Sequence, residues 1–205
     1  MKILIACEFS GTVSKAFREK GHIAYSCDIV DSETDPIWHI KEDVREVLND
    51  KWDMMIAHPP CTYLTVTGNK WMKPEYRYRF PDRPKQRESA IEFFKLLYNA
   101  PIKKIAIENP IGIMSTILRK PDQIIQPWHF GHQATKSTCL WLKNLPKLIP
   151  TNVVDKGEFV TYKSGKRMTK WYADAANKSP TEREKIRNRT FQGIADAMAN
   201  QWGNI

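Results

Sequence analysis

Residues 52–68, WDMMIAHPPCTYLTVTG, decide the predicted fold, because a buried strand and a reactive side chain follow each other directly. The run 52–57 is largely apolar, over a length typical of a strand that is buried on both faces. Pro59 and Pro60 then stiffen the chain, and Cys61 follows them. In sheets of buried parallel strands, ligands bind beyond the carboxyl ends of the strands. The stretch therefore predicts a parallel sheet that holds a thiol on a rigid turn at its ligand-binding edge.

Further strand-like runs occur on both sides of this stretch, with helical patterns between them. The predicted strands cover residues 2–7, 22–29, 52–57, 103–108 and 139–142. The predicted helices cover residues 13–20, 44–50 and 87–99, the last with its apolar residues on one face. This alternation predicts an α/β, Rossmann-like fold, with a mostly parallel sheet and helices on both faces. A length of 205 residues fits one domain over 1–205.

The charge is divided unevenly along the chain. The net charge is +9, yet residues 1–60 hold 7 Lys and Arg against 11 Asp and Glu, and the remaining residues hold 25 against 12. Tryptophan and tyrosine residues are interleaved with the basic ones. A basic surface with exposed aromatic rings suits a phosphate backbone and unstacked bases. Nucleic acid is therefore the expected partner, with a merely solubilising surface as the alternative.

Several classes of protein do not fit the composition. No apolar run reaches the roughly 18 residues of a membrane helix, and the sequence has no signal-peptide pattern, so a cytoplasmic protein without a membrane partner is expected. The four cysteines show no Cys-x-x-Cys spacing, so neither a disulfide framework nor a metal site is predicted. The oligomeric state stays open, and a monomer is the simplest expectation.

Two segments interrupt the alternation of strands and helices. Residues 68–86 contain three prolines, four aromatic residues and six Lys or Arg, and we predict a mobile basic and aromatic loop directly after Cys61. Residues 145–180 carry Gly and Lys clusters, with a hairpin predicted to turn at 163–166. One helix is predicted to begin at Ser179-Pro180 and another to cover 194–202. Arg187 and Arg189, near the first of these, could contact phosphates or form a solvated helix face.

Chemically interesting residues follow the other predicted strands. Phe9 and Gly11 lie at the first strand-to-helix turn, where an aromatic ring can stack on a purine and a glycine allows close approach, although an ordinary tight turn has the same composition. Asp28 follows the second strand, at the place where an acid commonly accepts hydrogen bonds from a ribose, with Asp31 as its rival. Asp43 could serve a ligand or cap a helix.

Cys61 and Glu108 are the strongest catalytic candidates. Cys7 and Cys27 lie inside predicted strands and are interpreted as small core residues. Cys61 has polar and proline neighbours instead, as expected of a nucleophile. Glu108 emerges from the apolar run KKIAI at the same edge of the sheet, and a carboxyl group beside a thiol suits attack on an electron-poor ring.

These motifs, in this order, resemble the DNA cytosine-5 methyltransferases, which use S-adenosylmethionine. EFSG resembles their first motif, CDIVD and EDV the next two cofactor motifs, PPC their nucleophile motif and ENP their Glu-Asn-Val motif. The late stretch RTFQGIADAMANQWG is similar to their final conserved block, and HQATKST faintly resembles their Gln-x-Arg-x-Arg block through His132, Gln133 and Lys136. The resemblance covers nearly the whole chain and implies the methyltransferase version of the Rossmann-like fold.

The resemblance also implies roles for individual residues. Cys61 would add to carbon 6 of cytosine, and Glu108 would bind the ring nitrogen 3 and the amino group. The residues implied in binding S-adenosylmethionine are Phe9, Ser10, Gly11, Asp28, Ile29, Asp43, Val44 and Pro59. The residues implied in binding DNA are Pro60, Thr62, Lys70, Lys73, Arg77, Arg79, Asn109 and Lys136. Segment 68–86 would be the catalytic loop, and 145–180 a reduced recognition region.

The short recognition region leaves the substrate open between duplex DNA, single strands and free cytidine nucleotides. A methyltransferase that modifies amino groups is a rival, but His58 stands where its Asp or Asn would be. A zinc deaminase would need a second cysteine where Leu64 stands. A non-catalytic nucleic-acid-binding remnant of a methyltransferase is the third rival, and the presence of both Cys61 and Glu108 speaks against it.

Overall fold

The computed structural model describes residues 1–205 and contains a seven-stranded sheet and a separate hairpin. The strands of the sheet are β1 (Lys2–Ala6), β2 (Ile23–Asp28), β3 (His39–Lys41), β4 (Met54–Ala57), β5 (Lys104–Pro110), β6 (Gln123–Ile125) and β7 (Thr138–Lys143). The hairpin consists of β8 (Phe159–Thr161) and β9 (Arg167–Thr169). The helices are α1 (Thr12–Arg18), α2 (Val44–Val47), α3 (Arg83–Tyr98), α4 (Met114–Ile117), α5 (Lys170–Ala176), α6 (Pro180–Asn188) and α7 (Gln192–Trp202).

The strand order of the sheet is β3-β2-β1-β4-β5-β7-β6. Strands β1 to β5 are parallel to their neighbours, while β7 runs antiparallel to both β5 and β6. The chain builds outward from β1 in one direction and then returns to add β4 and β5 on its other side. A cleft for ligands therefore opens where β1 and β4 end side by side. The predicted α/β, Rossmann-like methyltransferase fold is confirmed.

The sheet is buried on both faces because successive side chains along each strand point in opposite directions. Ile3 and Ile5 face one layer, which contains α1 and α7, and Trp202 of α7 is fully buried there. Leu4 and Ala6 face the other layer, which contains α2 and α3. Burial on both sides explains why the strands appear in the sequence as continuous apolar runs.

Most predicted elements occur with shifted ends. Helix α3 begins at Arg83, four residues earlier than predicted, with a proline in its first turn. Its start lies inside the segment 68–86 that we predicted as a loop, and the earlier part of that segment forms short 3-10 turns. The hairpin at 163–166 is confirmed, with Gly165 at a φ of 77°. Helix α6 begins as predicted, after a capping box between Ser179 and Glu182.

Membrane-spanning structure was looked for among the helices. None of them combines the length and the apolar composition that a crossing of the bilayer requires.

Candidate active site

A cavity of about 870 Å³ lies at the carboxyl ends of β1, β2, β4 and β5. Helix α6 covers one side of it. Of the predicted site residues, those that line this cavity are Phe9, Ser10, Asp28, Pro59, Pro60, Cys61, Thr62, Glu108, Asn109 and Lys136. The two predicted catalytic residues and part of the predicted cofactor set therefore share one space, although they are up to about one hundred residues apart in sequence.

The end of β1 places a buried carboxylate against the first turn of α1. Glu8 is 4% exposed, and its oxygens accept hydrogen bonds from the backbone N–H groups of Val13 (2.6 Å) and Ser14 (3.2 Å). These are donors that a helix leaves unpaired at its start, and they would otherwise attract an anion. The chain itself supplies that anion, so this turn offers no seat for the phosphates of a dinucleotide.

Gly11 is required by the shape of this turn. Its φ is 67°, in the left-handed region, and a Cβ at this position would lie 2.1 Å from Oγ1 of Thr34. The loop that follows β2 therefore packs directly on the backbone of the turn. Gly11 supports the cavity wall but does not line the cavity itself.

Asp28 lies at the end of β2 and its side chain is partly buried. Burial raises the pKa of Asp28, although hydrogen bonds from the backbone N–H groups of Val30 and Ile29 oppose this. Its rival Asp31 also lines the cavity, but is largely exposed and forms an ion pair with Lys41 at 2.8 Å. Asp28 is thus the acid that the fold holds in place, at the position expected for binding a ribose.

The turn that carries Cys61 is fixed to β5. The buried side chain of Asn109 donates a hydrogen bond from Nδ2 to the carbonyl oxygen of Pro59, at 2.9 Å. The backbone N–H groups of Leu64 and Thr65 donate to the carbonyl of Cys61, at 2.9 and 3.1 Å. The thiol is therefore held on a turn that is braced at both ends. The asparagine that the sequence placed among the DNA-binding residues instead links the PPC and ENP motifs.

The charges around Cys61 favour its neutral form. Burial raises the pKa of the thiol, the negative charge of Glu108 raises it further, and the positive charge of Lys136 lowers it. The net pKa lies above that of an ordinary cysteine. Cys61 is therefore a thiol in the free protein and needs to lose its proton before it can act as a nucleophile.

Glu108 is paired with His58, a residue whose role the sequence did not reveal. Nδ1 of His58 lies 3.0 Å from Oε2 of Glu108, and the two side chains are only 9% and 13% exposed. Burial alone raises the pKa of Glu108, but the hydrogen bond from His58 and the charge of Lys136 outweigh it and lower the pKa overall. Glu108 is thus held as a carboxylate. The available sequence signal was a polar residue placed directly after a buried strand.

Helix α6 contributes basic residues to the cavity. Arg183, Lys185 and Arg187 line it, and the side chain of Arg187 stacks on Tyr172 at 3.7 Å from the ring centre. Lys136 donates a hydrogen bond from Nζ to the carbonyl oxygen of Arg187, at 2.9 Å. Of the two possibilities left open for Arg187, the structure favours the ligand-facing one.

The remaining predicted residues do not line the cavity. Asp43 caps α2 by accepting a hydrogen bond from the N–H of Arg45 and pairs with the Arg45 side chain at 2.7 Å. Val44 is buried in the core, and Ile29 is 72% exposed. The basic residues of segment 68–86 are exposed, outside the cavity lining, at Lys70, Lys73, Arg77 and Arg79.

The weakly matched block before β7 has a partly structural role. His132 accepts a hydrogen bond from the N–H of Gly193, at 2.9 Å, and so connects this block to α7. Gln133 pairs with Asp155 at the surface. Of the three residues considered in this block, Lys136 is the one that reaches the cavity. No group of three or more His, Cys, Asp or Glu side chains is arranged to hold a metal ion.

Comparisons with known proteins give little beyond the fold. No protein-family model matches the chain, and no curated protein matches it. Among solved structures, it is similar to a crystal structure described as a candidate DNA modification methyltransferase encoded within a prophage of E. coli. The two share 16% sequence identity with a TM-score of 0.46, over 75% of this chain and 51% of the other. This chain therefore spans about half the length of that protein, and the fold assignment rests on strand order and register instead.

Proposed function

We propose that this protein transfers a methyl group from S-adenosylmethionine to carbon 5 of cytosine in DNA, through a temporary bond between Cys61 and carbon 6. One observation carries the proposal: Cys61 and Glu108, from the ends of neighbouring strands, line the same cavity as the ends of β1 and β2. A nucleophile and a carboxylate thus lie beside a region suited to an adenosyl group. This arrangement matches the roles implied by the PPC and ENP motifs.

The residues at the ends of β1 and β2 fit this cofactor. Phe9 offers a ring for the adenine, and the carboxylate of Asp28 can accept hydrogen bonds from the ribose hydroxyls. S-adenosylmethionine has no phosphate, which agrees with the carboxylate of Glu8 at the start of α1. When bound, this cofactor supplies a methyl group that is electrophilic because it is attached to a sulfonium.

Cys61 and Glu108 then prepare the cytosine. The thiolate of Cys61 forms a bond to carbon 6, which makes carbon 5 electron-rich enough to accept a methyl group. Glu108 binds the edge of the ring and favours the electron distribution that follows this attack. Loss of the proton on carbon 5 later breaks the bond to sulfur and restores the ring. Lys136 is the cation in this cavity that lowers the pKa of Cys61, and it therefore favours the reactive thiolate.

DNA is the proposed substrate because the cavity is basic on the side of α6. Arg183, Lys185, Arg187 and Lys136 lie where they could contact a phosphate. A base within duplex DNA would have to leave the stack to reach Cys61, at a cost of a few kcal/mol. A single strand or a free cytidine nucleotide avoids that cost, so the choice of substrate belongs in the experiment.

The test follows transfer of labelled methyl from S-adenosylmethionine to duplex DNA, single-stranded DNA and cytidine nucleotides. Cys61→Ala is expected to abolish transfer, while Cys139→Ala, which removes a buried cysteine of β7 outside the cavity, is expected to retain it. DNA containing 5-fluorocytosine should trap the wild-type protein, because fluorine cannot leave as the proton does. Equal transfer by wild type and Cys61→Ala would exclude the covalent mechanism. Binding of DNA without any transfer would favour the non-catalytic alternative.

A further inference from the structure

His58 lies between the strand that carries the nucleophile turn and Glu108. Its backbone N–H donates to the carbonyl oxygen of Ala6 at 2.9 Å, which extends the pairing of β4 with β1 by one residue. Its ring is 9% exposed, and Nδ1 lies 3.0 Å from Oε2 of Glu108. The imidazole is therefore fixed from both ends, by the sheet and by the carboxylate.

The second ring nitrogen determines the protonation of His58. Nε2 is buried and has no hydrogen-bond partner in the protein. A carboxylate accepts hydrogen bonds only, so Nδ1 must carry the proton that is shared with Glu108. Protonation of Nε2 as well would bury an N–H without an acceptor, which costs more than burying a lone pair. Lys136, which lines the same cavity, further disfavours a second positive charge there.

The two oxygens of Glu108 have different surroundings. Oε2 is occupied by His58, whereas Oε1 receives no hydrogen bond from the protein. Because Glu108 lines the cavity, Oε1 is the oxygen left for a ligand. A carboxylate bound by one oxygen cannot rotate freely, so the position of the other oxygen is set before the base arrives.

We propose that His58 is a positioning residue, whose neutral imidazole donates Nδ1–H to Glu108 and thereby directs the free oxygen of Glu108 at the edge of the target base. This inference rests on the proposed function. His58 does not exchange a proton with the substrate in this role. It holds the carboxylate in one orientation and helps to keep it ionised, in company with Lys136.

Two substitutions separate this role from others. His58→Phe keeps an aromatic ring but removes the donor, and we expect kcat to fall about 10- to 100-fold with little change in KM, the usual effect of losing a hydrogen bond to a charged group that acts in the transition state. His58→Asn places an N–H near the position of Nδ1, and we expect it to restore a large part of kcat. Urea unfolding of both variants checks that the fold is kept.

A second measurement does not depend on activity. Nitrogen NMR of protein labelled at histidine is expected to show a protonated Nδ1 and an unprotonated Nε2 for His58 at neutral pH, and Glu108→Gln should weaken the preference for this tautomer. An unchanged kcat in His58→Phe, or protonation of both nitrogens at neutral pH, would overturn the proposal. If wild type transfers no methyl group to any substrate, the proposed function fails, while the NMR result still decides how His58 is paired.

Discussion

Helix α6 is held over the cavity mainly by ion pairs, and this leads to a prediction about its opening. No side chain of α6 is fully buried, so little apolar packing holds the helix in place. Nζ of Lys185 lies 3.4 Å from Oε1 of Glu33, and Arg189 pairs with the other oxygen of Glu33. Both basic side chains are about half exposed, at 54% and 50%. Glu33→Gln removes the charge that both pairs share.

The expected effect follows from the exposure of these pairs. Exposed ion pairs contribute about 0.2 to 1 kcal/mol each, so losing two of them costs roughly 0.4 to 2 kcal/mol. At about 1.4 kcal/mol per tenfold change, the open population of α6 should rise about 2- to 30-fold. Salt at about 0.5 M should have an effect in the same direction on wild type, because it screens the same charges.

Hydrogen exchange followed by mass spectrometry can measure this opening in peptides that cover residues 179–190. Glu75→Gln is a matched control, since it removes an exposed pair with Lys73 outside the cavity and should leave exchange in α6 unchanged. Peptides from β5 should keep their protection in both variants, because that strand lies in the core. Equal protection of α6 in wild type and Glu33→Gln would refute the reasoning and show that other contacts hold the helix.

Three other outcomes can be tested with few variants. Because burial and Glu108 raise the pKa of Cys61, alkylation of Cys61 by iodoacetamide should be slow at neutral pH and speed up in alkali, and Glu108→Gln should move this profile to lower pH, as peptide mass spectrometry can show. Because the pKa of Glu108 is lowered in the fold, its carboxylate stabilises the fold above its unfolded pKa, and this contribution is lost as the pH falls through the folded value. The difference in unfolding free energy between wild type and Glu108→Gln should therefore shrink in acid, and a constant difference would contradict the assignment. Gly11→Ala should lose about 1 to 2 kcal/mol for its backbone alone and more for the overlap with Thr34, whereas Gly21→Ala, with φ 81° and nothing within 4 Å, should lose only the backbone part in urea unfolding.

The sequence predicted the framework of the sheet because each central strand is buried on both faces. Such strands must be apolar throughout, and the run before Cys61 shows this pattern without interference from solvent-facing residues. The ends of helices were less predictable. Helix α3 begins at Arg83 in a segment rich in charge and proline, where local composition favours a loop and a proline in the first turn is equally compatible with a helix.

The site was predictable where one strand end determines the position of a residue. Cys61 and Glu108 lie at the cavity because their strands are neighbours in the sheet. Asp43 and Val44 were assigned from a short motif, but the geometry of α2 gives one a capping role and the other a place in the core. The pairing of His58 with Glu108 depends on the register between two strands that are fifty residues apart. No local pattern in the sequence records that register.

The carboxylate of Glu8 at the start of α1 also affects competition for the cavity. In a cell, the adenosine-containing molecules that could enter an adenosyl site include nucleotides that carry phosphate groups. A fixed negative charge that already occupies the anion-binding end of the helix repels these phosphates, while a sulfonium meets no such penalty. The fold thus discriminates by excluding the wrong charge as well as by recognising the right ring. We expect ATP to be a poor inhibitor of this protein, even at concentrations well above those of the methyl donor.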